Sequence, residues 1–346
     1  MAEWYTIEGA DNDVVLSTKA CIVRNIKGYN FMPRIDDKDC QSLLETIDNA
    51  VDKNVFVGGS AQKIDKKTAL RMTRLQLLGI EGNQLVNPET KAFYYNDDAS
   101  LLIAAGCGEH LTIKAHAQGH DISVYKKAEK IALELESKLD IAYSESYGFL
   151  ASRTAYTGTG IRILYTVAIP ALSKTENGIA ALTQRVDQYE WTVYPFAKKG
   201  DAADSDVYII SSVNTLGITE DELLKKGEML IADVIKAERA CREGIASSKK
   251  DQTADIYGRS YGTLRYSNMI TRSEALQALS WMRLYHDYDD SGEINISWNT
   301  LDKLTMDVLW EPGAGTKKNS QSTASQKYRA GGIRNILKGA ERNENN

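Results

Sequence analysis

Two kinds of residue periodicity alternate along the first two thirds of the chain. The segments 40–53, 66–79 and 123–139 carry apolar residues three and four positions apart, which predicts amphipathic helices, the last with Ser123 as its N-cap. Between and after them lie HLTIKAH, RILYTVAI and DVYIISS, short runs rich in β-branched and aromatic residues, which predict strands. This interleaving predicts a mixed α/β body.

From residue 219 onward the pattern is mainly helical. A capping box of Thr219 with Glu222 opens a long helical segment, and a second box of Thr271 with Glu274 opens another. The last stretch is small, polar and locally basic, so it is either disordered or orders on a partner. We therefore expect three parts, which are an α/β domain over 1–250, a helical domain over 251–320 and a basic polar tail over 321–346.

Composition limits the class of protein. The 346 residues are 42% hydrophobic, which is enough for one large core or two moderate ones. A net charge of −5 argues against general nucleic-acid binding, and no apolar run is long enough for a membrane span. The N-terminal stretch lacks the pattern of a secretion signal, and the four cysteines are widely spaced without a CxxC pair. We therefore expect a cytoplasmic location, without disulfides or structural zinc.

The stretch AGCGEHLTI is the first candidate site, because it brings Cys107, Glu109 and His110 into one glycine-flanked turn. The residues alone leave three interpretations open. The turn is an active site, a metal site that also uses His116 and His120, or a strand entry in which these side chains are structural.

Two other motifs are weaker than they look. DYDDSGEINISW imitates a calcium loop, but Trp298 stands at the twelfth position, where calcium binding requires a bidentate glutamate. YTGTGIR lacks the spacing of a phosphate-binding glycine loop. We expect a polar loop at the first motif and a tight turn into a strand at the second.

Six stretches follow one another in a recognisable order: NDVVLSTKACIVRN, GEHLTI, GFLASRTAYTGTGIRILYTVAIPAL, DVYIISSVNTLGITEDEL, AERACREGI and RSYGTLRYSNMI. Their order and spacing, over most of residues 11–345, resemble those of the ATP:guanidino phosphotransferase superfamily, and specifically its bacterial protein-arginine kinase (McsB) branch. The resemblance implies an α/β (α+β) fold with an antiparallel sheet flanked by helices. It also implies a C-terminal helical domain for dimerisation and phosphoarginine sensing. In such a fold, arginines grip the phosphates of ATP and carboxylates orient and deprotonate the acceptor guanidinium.

The resemblance assigns nucleotide-phosphate contacts to several positions of this chain. In the family segment S-S-R-x-R-x-x-R-N, the three arginine positions hold Lys19, Cys21 and Arg24 here, so only the third arginine is kept. Arg162 matches the arginine of G-T-G-x-R, and Lys198 falls within the match to R-G-x-x-G-E-G-S-E. Lys19, Arg24, Arg162 and Lys198 are therefore the candidate nucleotide-binding residues.

The acceptor side departs further from the family pattern. In N-E-E-D-H-x-R-I, the catalytic glutamate falls on Gly108 and a phosphate-binding arginine falls on Thr112, which leaves Glu109 as the candidate catalytic residue. The reactive cysteine of C-P-T-N falls on Arg153, whose charge would repel a guanidinium within about 4 Å by about 1 to 4 kcal/mol. Of the phosphoarginine-sensing motif R-D-x-x-R-A, the remnant is Arg329 with the following alanine.

These substitutions favour a pseudokinase, that is, a catalytically impaired family member with a regulatory or scaffolding role. It would work as a homodimer with a protein partner or a paralogous kinase, without nucleic acid, membrane or bound metal of its own. The alternative is an active ATP-dependent protein arginine kinase with a rebuilt site, in which Glu109 is the base. A cysteine or metal enzyme built on Cys107 and His110 is the third hypothesis. ATP with Mg²⁺ is expected only if nucleotide binding is retained.

Overall fold

The computed structural model describes residues 4–32, 34–78, 87–196, 205–311 and 322–343. Its strands are β1 (Val15–Arg24), β2 (Val57–Ser60), β3 (Ala92–Tyr95), β4 (Leu101–Ala105), β5 (Leu111–Gln118), β6 (Tyr143–Ser144), β7 (Gly148–Phe149), β8 (Ile161–Ala168), β9 (Trp191–Pro195) and β10 (Val207–Ser212). Eight of them form one antiparallel sheet in the order β2-β3-β4-β5-β1-β8-β10-β9, and β6 pairs with β7 in a separate hairpin. The predicted antiparallel α/β architecture is confirmed.

The helices are α1 (Asp37–Ala50), α2 (Lys66–Arg74), α3 (Val124–Glu136), α4 (Pro170–Lys174), α5 (Gly178–Gln188), α6 (Glu220–Ser248), α7 (Lys250–Tyr266), α8 (Arg272–Tyr285), α9 (Trp298–Leu309) and α10 (Thr323–Asn343). Both predicted capping boxes are confirmed, at the starts of α6 and α8. Ser123 does stand at the N-cap position of α3, as predicted, but its hydroxyl donates to Asp121 instead of accepting a hydrogen bond from the helix. Among the described helices, none is both long and apolar enough to cross a bilayer.

The sheet has two different faces because successive side chains of a strand point to opposite sides. On β5 the predicted alternation is confirmed, with Leu111, Ile113 and Ala115 packed in the core that α1, α3 and α6 cover. Thr112 and Lys114 point to the other face. Apolar residues of β3 and β4 on that second face belong to a second core, which also contains residues of α2, α8, α9 and α10.

A buried polar contact joins the helical C-terminal part to the sheet. Asp302 of α9 accepts from Arg283 of α8 and, at 2.9 Å, from the Gln118 side chain at the end of β5. Arg283 also donates to the backbone carbonyl of Asn12 at 2.9 Å. Because removing one partner of a buried ion pair strongly destabilises a protein, this contact holds the two parts in a defined relation.

The prediction of a basic polar tail is wrong for residues 323–343, which form α10. Ala330, Ile333 and Leu337 are buried against the neighbouring helices, at a spacing of three and four residues. This apolar stripe is narrow and lies among small polar residues, so the composition hid it. Residues 312–321 and 344–346 lie outside the described part of the chain. The other expected domain limits stay predictions.

Candidate active site

The sheet register brings three cations together on the second face. Cys21 of β1 lies opposite Lys114 of β5 on one side and opposite Arg162 of β8 on the other. Directly opposed residues of an antiparallel pair project to the same face with their Cβ atoms roughly 5 Å apart. Lys19 lies two residues before Cys21 and therefore shares that face. These three side chains surround the Cys21 thiol.

Arg153 supplies a fourth positive charge to this group. It lies in the loop after β7 and, like the other three cations, acts electrostatically on the Cys21 thiol. We call Lys19, Lys114, Arg153 and Arg162 the cation cluster. In the part of the chain that the structure describes, none of the four forms a salt bridge with a carboxylate. Neighbouring cationic side chains without a carboxylate partner create a positive potential that attracts anions.

The environment of the cluster perturbs Lys19 and orients Arg162. Burial, reinforced by the charge of Lys114, lowers the pKa of Lys19 to about 7, and the Lys19 amine lies 6.0 Å from the ring centre of Trp310. The Arg162 guanidinium donates through Nε to the Ser212 carbonyl at 3.2 Å and through Nη1 to the Tyr156 hydroxyl at 3.4 Å. Arg162 is therefore held in place before any ligand arrives.

Glu109, the candidate base, is only 2% exposed and its carboxylate is occupied. Oε2 accepts from the Asn25 side-chain amide and from the Ser152 backbone N–H, both at 2.8 Å. Oε1 accepts from the Arg153 backbone N–H at 3.2 Å. To receive a proton from a substrate, Glu109 would first have to become exposed, because its side chain is buried. The arrangement instead fixes the backbone from which Arg153 projects.

The Arg153 guanidinium lies beside Gly108, which has a left-handed backbone with φ of +89°. A Cβ atom added at Gly108 would lie 2.9 Å from Nη2 of Arg153. Gly108 is the position at which the resemblance places the catalytic carboxylate. The space next to that position is therefore taken by a guanidinium that belongs to the protein itself.

Cys107 and His110 do not form a nucleophile and base pair. Burial raises the pKa of the Cys107 thiol to about 11, so it stays protonated at neutral pH. His110 is fully buried, and burial lowers its pKa. Its Nδ1 accepts from the Ile26 N–H and its Nε2 contacts the Asn30 carbonyl, each at 3.0 Å. The hypothesis of a cysteine enzyme is therefore contradicted, and the structural interpretation of this turn fits the contacts.

The histidines of the same strand do not converge on a metal position. His116 packs against the ring of Trp4 with centroids 5.2 Å apart, whereas His120 lies between the carboxylates of Asp11 and Glu228. Within the described residues, no group of three His, Cys, Asp or Glu side chains is placed to hold a metal ion.

Arg24 does not join the cation cluster. It is five residues from Lys19 on β1, so it lies on the opposite face of the sheet. Its guanidinium pairs with Glu136 of α3 at 2.6 Å and lies 3.3 Å from the ring centre of Phe149. Arg24 is therefore bound within the protein, and we leave it out of the site.

The remaining candidate residues have separate outcomes. Lys198 lies outside the described residues. Arg329 is buried in the helical part, where it pairs with Glu311 at 2.7 Å and donates to the Ile270 carbonyl at 2.7 Å.

Lys114 is a member of the cation cluster that the sequence did not predict. The alternation of HLTIKAH does place it on the polar side of the strand, but its pairing with Cys21 is visible only in the sheet register.

Comparisons with known proteins agree with the fold of both parts. Residues 44–241 match the family model for the ATP:guanido phosphotransferase C-terminal catalytic domain, and residues 250–346 match that for the McsB protein-arginine kinase C-terminal domain. The protein-arginine kinase of Desulforamulus reducens is 27% identical over 289 residues, which cover 82% of this chain and 81% of that protein. The protein-arginine kinase of Clostridium novyi is 25% identical over 327 residues, which cover 93% of each chain.

Solved structures of guanidino kinases resemble this chain in fold. A lombricine kinase aligns with a TM-score of 0.56 and 19% identity, over 67% of this chain and 69% of that chain. The duplicated taurocyamine kinase of Schistosoma mansoni aligns with a TM-score of 0.57 and 18% identity, over 67% of this chain and 33% of that chain. At these identities the likeness supports the fold alone.

Proposed function

This chain belongs to the ATP:guanido phosphotransferase family, and we propose that it binds nucleotide phosphates but transfers phosphate to arginine side chains poorly or not at all. Its role is then regulatory or scaffolding. The protein-arginine kinase branch is supported by the match of residues 250–346 and by the curated relatives named protein-arginine kinase.

The pair of Gly108 and Arg153 carries this proposal. A guanidinium is a poor nucleophile until it loses a proton, so the reaction needs a carboxylate that orients the acceptor and receives the proton. At the position expected for that carboxylate this chain has a glycine, and beside it lies the Arg153 guanidinium, whose charge opposes the approach of a second guanidinium. Loss of a general base alone lowers a rate by about 10² to 10⁴-fold.

The cation cluster supports the retention of nucleotide binding. The phosphates of ATP carry several negative charges, and Lys19, Lys114 and Arg162 offer positive charges from three adjacent strands. Arg162 can donate to a phosphate from a fixed orientation, whereas the lysines act as point charges. Mg²⁺ needs no protein cage in such a site, because it is bound mainly by the substrate phosphates and water. Mg-ATP is therefore the nucleotide that we propose.

We also propose that the protein acts in the cytoplasm through a protein partner, such as a paralogous active kinase, and that it forms a homodimer. The family resemblance of the helical C-terminal part motivates both the dimer and the partner. A protein that senses nucleotide without consuming it could report the nucleotide state to that partner.

A binding titration tests the proposal. We expect Mg-ATP to bind the full chain with micromolar to millimolar affinity, measured by isothermal titration calorimetry. Arg162→Ala should weaken binding by about tenfold or more, since a hydrogen bond to a charged group contributes about 1.5 to 3 kcal/mol. Arg185→Ala is the matched control, because Arg185 lies on α5 and pairs with Asp233. Absence of nucleotide binding, or equal affinities for both variants, would contradict the proposal.

A further inference from the structure

A second basic region lies outside the cation cluster, in a groove of about 740 Å³ between α2 and α10. Lys67, Leu70, Arg71 and Arg74 of α2 line one side of it, and Tyr328 of α10 lines the other. Lys67, Arg71 and Arg74 are four and three residues apart, so they lie on successive turns of the same helix side. Their Cα atoms span about 10 Å along the helix axis, at about 1.5 Å per residue.

The positive charges of this groove are only partly compensated. Within the described residues, neither Lys67 nor Arg71 forms a salt bridge. Arg74 donates through Nη2 to the Tyr328 hydroxyl at 2.8 Å, and Asp307 is close enough to act on its charge. The Asp65 carboxylate at the start of α2 acts on the charge of Lys67 without forming an ion pair with it. Lys67 and Arg71 therefore remain able to pair with a ligand in the groove.

The carboxylate that lines the groove is already neutralised. Glu311 accepts from Nε of the buried Arg329 at 2.7 Å, so this acid is not available to meet a positively charged group. The groove thus favours anions and disfavours guanidinium or ammonium groups.

Apolar surface lies between the cations. The side chain of Leu70 is 42% exposed and that of Tyr328 is 63% exposed, and both line the groove. A small inorganic anion would leave this apolar surface in water, whereas a peptide side chain would cover it. An anchor of this kind next to charges that set the register is typical of helices bound in grooves.

We propose that the groove docks an acidic helical segment of a partner protein, with carboxylates on successive turns and one apolar side chain between them. The carboxylates would pair with Lys67 and Arg71, and the apolar side chain would pack on Leu70 and Tyr328. A protein partner fits better than nucleic acid, because the chain has a net charge of −5 and the groove has few uncompensated cations. The inference does not depend on nucleotide binding.

Fluorescence anisotropy with the full chain tests this proposal. The probe is a labelled helical peptide with three glutamates, spaced four and three residues apart, around one leucine. We expect saturable binding that the double substitution K67E/R71E weakens by about tenfold or more. The matched control is K127E/K130E on α3, which changes the net charge equally on exposed lysines outside the groove and should stay within about twofold of the unmodified protein.

A third variant and a second probe separate groove docking from general charge attraction. Leu70→Ser keeps every charge and should weaken peptide binding by about threefold to tenfold through lost apolar burial. Circular dichroism establishes that each variant is folded. The proposal is overturned if the unmodified protein does not bind the peptide, if both charge-reversal variants weaken it equally, or if Leu70→Ser has no effect. It is also overturned if a labelled single-stranded RNA binds more tightly than the peptide.

Discussion

Replacement of Glu109 by glutamine separates a structural role of this carboxylate from a chemical one. The substitution keeps the shape of the side chain but removes its charge and one of its two acceptor oxygens. If the remaining oxygen takes the place of Oε2, it still accepts from Asn25 and Ser152, but the new NH₂ group faces the Arg153 N–H. In the opposite orientation of the amide, the NH₂ group faces Asn25 and Ser152, so two hydrogen bonds are lost instead of one.

The loss of stability can be estimated from these three hydrogen bonds. Loss of charge weakens each of the two remaining hydrogen bonds, and the Arg153 N–H loses its acceptor altogether. With about 0.5 to 1 kcal/mol for each weakened bond and about 1 to 2 kcal/mol for the orphaned donor, Glu109→Gln should lower the free energy of unfolding by about 2 to 4 kcal/mol. The same change should loosen the loop that carries Arg153.

Urea unfolding followed by circular dichroism measures this difference. Glu134→Gln is the matched control, because Glu134 is exposed on α3 and its change should stay within about 0.5 kcal/mol. In the opposite outcome, Glu109→Gln unfolds at the same urea concentration as the control but removes a phosphoryl-transfer activity that the unmodified protein has. That result would make Glu109 a chemical base rather than a support for the loop.

Two further predictions follow from the cation cluster and from the opposite face of the sheet. Between pH 7 and 9 the affinity for Mg-ATP should fall as the pH rises, by up to about tenfold per unit, because free Lys19 loses its proton above its pKa of about 7 while the bound phosphates favour the charged amine. Well below pH 7, where Lys19 is protonated with or without the ligand, this dependence should vanish. Titrations at several pH values measure it, and Lys19→Met should remove the slope. Arg24→Ala should lower the free energy of unfolding by about 3 kcal/mol, because Glu136 loses its partner, and should leave nucleotide affinity within about twofold. Urea unfolding and the same titration check both parts, and a selective loss of nucleotide binding would return Arg24 to the site.

Local sequence signals predicted the elements of the fold well where short-range chemistry decides them. The capping boxes at Thr219 and Thr271 depend on residues three positions apart, and the alternation in β5 depends on neighbouring residues. The narrow apolar stripe of α10 was missed because only its packing against other helices distinguishes it from a polar tail. To predict this stripe, one would have to know which helices α10 packs against.

The site was harder to predict because its geometry is long-range. The sequence does predict that Lys19 and Arg24 lie on opposite faces of the sheet, because they are five residues apart on one strand. The match to the family motif does not distinguish the two faces, so both residues were assigned to one site. The position of Lys114 next to Cys21 requires the register between β1 and β5. Arg153 and Gly108 are far apart in the chain but lie side by side in the structure. Their contact depends on the hydrogen bond by which Glu109 holds the backbone of Arg153.

We expect this protein to bind nucleotide without phosphorylating arginine efficiently. Incubation with Mg-ATP and casein, followed by mass spectrometry for phosphoarginine, tests this expectation, with an active protein-arginine kinase as the positive control. We expect phosphoarginine in the control and none above background with this protein, at a concentration where calorimetry shows bound ATP. Phosphoarginine formed at a rate near that of the control would show instead that the protein is an active arginine kinase.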